Sequence, residues 1–380
     1  MSSTKLFQPI KLGHSTLQHR VALLPLTRYR NDNDHVATAS MAQYYGDRAS
    51  APGTLIISEA TGIAHREEGQ PNLPGFVSQP QVEGWKQVVD AVHANKSVFF
   101  QQLWAVGRAA DPAYIGKRGY AYQSSSDVVL DPAKGAPNPM TEEEIQATIA
   151  SFADTAKRVV DAGADGVEIH GAHGYLLDQF LSETSNKRTD KWGGPIENRA
   201  RLIIEVVKAV AKAIGAEKTA LRLSPFADFQ GTTKSDAYGD YTYLVSELKK
   251  LDLKLAYLSL VEPRGDPLIV FGARADDGRD SLEFILKIWD NQSPVVVGGG
   301  YTPENAEPAL QGQYNKYDVI VGFGRHFISN PDLVYRIQNG VELNKYNRDT
   351  FFTNLAEQGY NDYPFSKEYL ASKAKPVEAH

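Results

Sequence analysis

Cysteine is absent from the 380 residues, which removes disulfides, thiolate nucleophiles and cysteine-ligated metals in one step. Missing too is any run of about 18 apolar residues, the length a helix needs to span a bilayer, so no membrane partner is expected. The opening stretch, MSSTKLFQPIKLG, lacks the apolar segment of a secretory leader, and a cytoplasmic protein is the expectation. Positive charge is in deficit: 40 Lys and Arg stand against 46 Asp and Glu. A net −6 offers no basic face for tracking phosphates, which argues against a nucleic-acid partner. No internal repeat is visible. The remaining composition, 42% hydrophobic and 23% charged, is that of an ordinary globular chain.

What is present is alternation. Short runs rich in β-branched and aromatic residues read as strands at Val21–Leu26, Thr54–Ser58, Val98–Leu103, Gly166–Ile169, Ala220–Ser224, Ala256–Leu260, Val295–Val297 and Val319–Val321. Helical patterns follow them, among them Gln81–Asn95, Thr141–Ala162, Ile196–Ile214, Tyr241–Leu251 and Ser281–Asp290. Thr141 with Glu144 is a capping box, and Pro331 suits the first turn of a helix. Eight strand–helix units predict an α/β chain closed into a (β/α)₈ barrel, with residues 1–380 as one domain. Residues 6–19, turning at LGHSTLQ, predict a hairpin that plugs the barrel's N-terminal end. Long excursions are expected after the third strand (104–140) and the sixth (261–280), and long loops in a compact domain are usually functional.

Period-two alternation assigns the faces of each strand. Val167 and Ile169 suit the helix side, so Glu168 and His170 point inward; Leu221 and Leu223 do likewise, sending Arg222 and Ser224 to the interior. Gln102 and Trp104 share one face, and Thr27 ends the first strand. The barrel mouth thus collects Thr27, Gln102, Trp104, His170 and Arg222. A buried guanidinium needs a partner. Either Glu168 on the neighbouring strand supplies it, or an electron-rich ligand does. His170 alone could be a hydrogen-bonded structural histidine, and Tyr175 a core aromatic with its hydroxyl satisfied. His173 and Tyr175 nearby favour function, since the apolar helix pattern begins only after them. Two neutral imidazoles can donate to one oxygen, and a tyrosine protonated at neutral pH can deliver a proton.

The seventh and eighth strands end in VVVGGGYTPENA and VIVGFGRHFISNPDL. Their glycines either serve tight turns or let backbone N–H groups approach an anion, with Arg325 adding donors suited to phosphate. Barrels often hold phosphate at this place, so a phosphorylated ligand with a polar head across the mouth is expected.

Those residues carry a resemblance. LLPLTRYR, IISEATG, FQQLWAVGRAA, VEIHGAHGYLLDQFLSETSNKRTDKWGGPIENRARL, LRLSP, VGFGRHFISNPDLVYRIQNG and GYNDYP resemble the Old Yellow Enzyme family of flavin-dependent ene-reductases along nearly the whole chain. The resemblance implies a TIM barrel holding FMN non-covalently, with NADPH as reductant, activated alkenes as substrates, and a monomer or homodimer. It implies Thr27 at the flavin O4 edge, as in the threonine-bearing branch, with Pro25, Leu26 and Ala60 also at the ring. Gln102 and Arg222 would bond the pyrimidine side, and Gly299, Gly300, Gly324 and Arg325 the phosphate. His170 and His173 would grip the substrate carbonyl, Tyr175 would donate the proton, and Trp104, Phe229 and Tyr360 would line the substrate pocket. Two positions depart from the pattern: His173 stands where many yeast members have asparagine, and Gln70 where relatives often have a pocket tyrosine.

Rival readings make different demands. A metal-dependent hydrolase on this barrel would use His170 and His173 with Glu59 or Glu168 as ligands. A Schiff-base aldolase would need a desolvated lysine at a strand end, and none of the eight strand ends shows one. A non-catalytic flavin carrier would leave Tyr175 without a task.

Overall fold

The computed structural model describes residues 4–263 and 280–374. Eight strands form a barrel: β1 (Val21–Leu23), β2 (Leu55–Ile57), β3 (Val98–Trp104), β4 (Gly166–Gly171), β5 (Thr219–Leu223), β6 (Tyr257–Val261), β7 (Val295–Gly298) and β8 (Val319–Phe323). Each pairs in parallel with its neighbours, and β8 returns to β1. Outer helices follow: α1 (Ala39–Arg48), α2 (Gln79–Ala94), α3 (Glu142–Asp161), α4 (Arg201–Ile214), α5 (Ala237–Lys250), α6 (Glu283–Trp289), α7 (Pro303–Gln311) and α8 (Leu333–Asn339). This is the (β/α)₈ barrel that the alternation of elements predicts.

Two buried apolar layers divide the work. The layer between strands and helices holds Val167, Ile169, Leu221, Leu223, Leu258 and Val297. The barrel interior holds Ala22, Leu55, Ile57, Phe100, Ala220, Val296 and Ile320. Into its lower end packs the expected hairpin, Ile10–Leu12 paired antiparallel with Ser15–Leu17, contributing Ile10, Leu12 and Leu17. Apolar filling therefore stops partway up the barrel. Above it the inward positions turn polar, with Gln102 opposite Glu168 and Arg222 opposite His170 in register.

Local signals act as their chemistry requires. Thr141 and Glu144 exchange hydrogen bonds of 2.8 and 3.3 Å at the start of α3. Ser78 and Gln81 make a second capping box, which starts α2 two residues before the sequence expectation. Three expectations need correction. The first strand stops at Leu23, not Leu26, because Pro25 has no N–H for a ladder bond; Thr27 lies in the loop beyond it. The helix expected over 196–214 is two pieces, Ile196–Arg199 and α4, loosened at Ala200, which stays near helical dihedrals (φ −75°, ψ −18°). Pro331 precedes the α8 cap residue Asp332 instead of occupying the first turn. The excursion after β3 carries a helix, Pro112–Lys117, and two short paired strands. Most of the excursion expected after β6 falls outside the described residues.

Candidate active site

β4 ends at Gly171, and the chain turns before a short helix, Leu176–Leu181. His173 (φ +56°) and Gly174 (φ +71°) take left-handed conformations in succession. Glycine is required at 174, since a Cβ there would lie 2.6 Å from both the Phe229 carbonyl oxygen and the Gln230 Cβ. The turn is tied to the loop after β5. The His173 N–H donates to Ser224 Oγ at 2.8 Å, and Gln230 Nε2 donates to the His173 carbonyl at 2.9 Å. The Gly174 N–H donates to Asp178 Oδ2 at 2.8 Å, while Asp178 Oδ1 pairs with Lys234 Nζ at 3.0 Å. Both side chains of that pair are buried.

The turn gathers three functional rings. His170 and His173 stand with ring centres 5.9 Å apart, and Tyr175 packs 5.0 Å from His170 and 4.4 Å from Trp104. His170 Nδ1 accepts the Ala172 N–H at 3.3 Å. A neutral imidazole has one donor and one acceptor, so Nε2 carries the proton. Burial, reinforced by the Arg222 charge, pushes the His170 pKa down to about 3. His173 is held well below the usual histidine range by burial, then by Arg222, His170 and Lys234. Both are neutral donors at physiological pH. His173 Nε2 has no partner among the described residues. The Tyr175 hydroxyl is pushed above the ordinary phenol range by burial and by Tyr29 beside it, so it is protonated.

These rings line one wall of a cavity of about 1200 Å³, at the upper end of ligand pockets and roomy enough for a cofactor with a second ligand. Pro25, Leu26, Thr27, Ala60, Gln102, Trp104, Arg222, Phe229, Gly299, Gly300, Gly324 and Arg325 also line it, as does Gln70. An anionic ring system with a phosphate tail fits these residues. Arg222 is buried, yet its Nε and Nη1 find no hydrogen-bond acceptor among the described residues. Its Glu168 neighbour lies at 3.9 Å and already accepts from Gln102 Nε2 at 2.7 Å. The Glu168 pairing therefore exists but leaves two N–H groups for something in the cavity. At the other end Gly300 is exposed with φ +72° and open space around it. Gly322 packs so tightly that a Cβ would meet Leu24 Cδ2 at 2.4 Å. Arg325 lies 5.8 Å over the Tyr346 ring with no carboxylate partner among the described residues.

Tyr360 is the exception among the expected residues. It is fully buried, stacked at 4.2 Å on Tyr44 and covered by Arg28 and Arg30, which takes it out of reach of a substrate. Tyr29, Gln230, Tyr346 and Phe352 line the cavity unforeseen. The aromatic run KYNRDTFF after α8 was the one visible signal for two of them. The carboxylates proposed as metal ligands are engaged elsewhere: Glu59 accepts from Tyr45 and from the Arg28 N–H, and Glu168 faces Gln102 and Arg222. Lys234 is desolvated, as an aldolase requires, but it is held by Asp178 and lies outside the cavity lining.

Comparison with known proteins agrees with this geometry. The model of the NADH:flavin oxidoreductase / NADH oxidase family matches residues 5–344. The aldehyde reductase FrzD of Cladobotryum sp is 45% identical, over 97% of this chain and 96% of that protein. A probable inactive dehydrogenase, easA, of Claviceps fusiformis is 43% identical over 97% of both. The crystal structure of Old Yellow Enzyme from Pichia sp. AKU4542 superposes with a TM-score of 0.89 at 38% identity, covering 96% of this chain and 95% of that one.

Proposed function

This chain belongs to the NADH:flavin oxidoreductase / NADH oxidase family as an Old Yellow Enzyme homologue that uses FMN, and from that premise we propose that it is an NADPH-dependent ene-reductase. In this reading residues 1–380 work as one domain, in the cytoplasm, on small activated alkenes such as α,β-unsaturated carbonyls or nitroalkenes. Because one relative at 43% identity is named probable inactive, family membership alone does not carry the activity. The side chains of this cavity do.

Gln102 and Arg222 would hold the polar edge of the ring, Thr27 its O4 side, and Pro25, Leu26 and Ala60 its face. Gly299, Gly300, Gly324 and Arg325 would hold the phosphate. Bound there, FMN would supply the redox chemistry, the route for a hydride from NADPH to the β-carbon of the alkene. The remaining work belongs to the protein. His170 and His173 each donate one N–H to the substrate's carbonyl oxygen, where negative charge grows. Donors fixed in a site sheltered from water stabilise that charge without reorganising. Tyr175 passes its hydroxyl proton to the α-carbon, completing the addition of two hydrogens across the double bond. Trp104 and Phe229 confine the alkene.

The observation that carries this reading is the convergence of two neutral imidazoles and a protonated phenol on one wall of the cavity. Rapid-mixing kinetics of the two half-reactions test it. Tyr175→Phe should slow alkene reduction by about 10²–10⁴-fold, the worth of a positioned general acid, and leave flavin reduction by NADPH intact. Equal loss in both halves would refute the role of Tyr175. A purified protein that is colourless and takes up no added FMN would remove the premise.

A further inference from the structure

Tyr29, just past β1, sits in the left-handed region (φ +56°), which bulky side chains enter only where surrounding structure holds them. Its neighbours do the holding. Arg28 donates to the Gly359 carbonyl at 2.7 Å and to the Phe351 carbonyl at 3.0 Å, and Arg30 to the Ala356 carbonyl at 2.8 Å. The Tyr29 carbonyl itself accepts the Leu355 N–H at 2.9 Å. Both buried arginines therefore turn into the segment 350–359, and the tyrosine between them turns to the cavity. There its hydroxyl donates to Gln70 Oε1 at 2.8 Å.

That bond orients the amide. A glutamine carries an acceptor oxygen and an NH₂ donor on one planar group. With Oε1 engaged by Tyr29, Nε2 keeps both hydrogens with no acceptor among the described residues. The cavity around it is apolar. Leu73, Val106 and Ala110 line it, and the exposed ring of Phe352 stands edge-on to Tyr29 at 6.1 Å. A single fixed donor among apolar walls is how a ligand pocket sets orientation. Its place in the barrel says which part of a ligand it meets. Gln70 lies in the loop after β2 and the histidine pair in the turn after β4, with β3 and its Trp104 between them. A ligand gripped by the histidines meets this donor only by reaching across Trp104.

We propose that Gln70, oriented by Tyr29, determines specificity: the favoured substrate is an elongated α,β-unsaturated carbonyl with an apolar body and an ether or carbonyl oxygen at its far end. The inference rests on the ene-reductase reading and narrows the class of alkene within it. Gln70→Met keeps the length of the side chain and removes the donor. Gln70→Glu keeps the shape and replaces the donor with an acceptor. Tyr29→Phe keeps the amide and removes the bond that orients it.

The experiment compares cinnamaldehydes in matched pairs that differ by an oxygen in place of a methylene: meta-methoxy against meta-ethyl, para-methoxy against para-ethyl, and para-methoxymethyl against para-propyl. For each pair the ratio of kcat/KM is taken in the parent holoenzyme and in the three variants, so that general effects of a substitution cancel. Calorimetric binding of the same aldehydes to the oxidised holoenzyme, without NADPH, repeats the comparison without turnover. In at least one pair the parent should favour the oxygen member by about 2–10-fold relative to Gln70→Met, the worth of one neutral hydrogen bond. Gln70→Glu should disfavour that member further at neutral pH, and Tyr29→Phe should fall between the parent and Gln70→Met. Parental ratios in Gln70→Met for every pair would overturn the proposal, as would a parental ratio in Tyr29→Phe. So would a parent that reduces cyclohexenone but none of these aldehydes. A parent whose NADPH oxidation responds to no alkene would instead bring down the ene-reductase reading, and this inference with it.

Discussion

A histidine that must donate a hydrogen bond is most useful when it cannot take up a second proton, and burial secures this for His170 and His173. Each offers one N–H to a carbonyl or phenolate oxygen. A hydrogen bond to such a charged group contributes about 1.5–3 kcal/mol. His170→Ala should therefore weaken phenol binding by about 10–100-fold, the same energy expressed as an equilibrium constant, as an optical titration of the holoenzyme would report. Unchanged titrations would remove His170 from the anchor. At this scale much was legible beforehand. Alternation along β4 and β5 placed Glu168, His170 and Arg222 inside the barrel, because side chains of a strand point to opposite faces in turn. Tyr360 was misplaced and Gln230 overlooked for one reason: both lie on irregular segments, where no period says which way a side chain points.

Among the elements, the β4 turn depends on a partner distant in sequence. Asp178 and Lys234, both buried, join the turn to the loop after β5. Breaking a buried pair from one side leaves an uncompensated charge and typically costs about 3–5 kcal/mol, whereas replacing both partners by neutral groups is close to neutral. Lys234→Met alone should lower the urea midpoint sharply, and the double substitution Asp178→Asn with Lys234→Met should restore most of it. A single variant as stable as the parent would show that the pair does not hold the turn. Gly174→Ala forces a Cβ into a left-handed position already closed by Phe229 and Gln230. It should cost about 1–3 kcal/mol of backbone strain and slow alkene reduction more than flavin reduction. The helices and their caps could be read in advance, since Thr141–Glu144 is a local device. The clamp could not, because nothing near Asp178 in sequence marks Lys234 as its partner.

Over the whole molecule, buried neutral histidines make stability depend on pH. His19 is pushed down to about 4 by burial, His170 to about 3, and His173 also lies far below its ordinary value. Below about pH 6.5 an unfolded chain protonates all three, while the folded one does not. The unfolded state then binds more protons, and stability falls as the solution is acidified. Glu59 works the other way: burial raises its pKa to about 7, so the folded state keeps a proton that the unfolded chain releases down to its ordinary value. The histidines outnumber it. Burial lowers His35 and His326 in the same sense and raises Glu168 in the opposite one, so urea stability of the holoenzyme should decline as the pH falls from about 6.5 to about 4.5. A flat profile, or one that rises toward acid, would show that these imidazoles are not held neutral.

By itself the sequence determined the eight-fold alternation of strands and helices, the hairpin plug, the inward faces of β3, β4 and β5, and the glycine-rich ends of β7 and β8. Each follows from a period or a cap whose physics is local. Tertiary structure alone decided that the barrel's apolar filling stops below Gln102 and Arg222. It also brought Tyr29 and Tyr175 to one cavity, locked Lys234 onto Asp178, and tied Gln230 to the His173 carbonyl. Those relations join segments far apart in the chain, and the closure of the barrel is what brings them within reach.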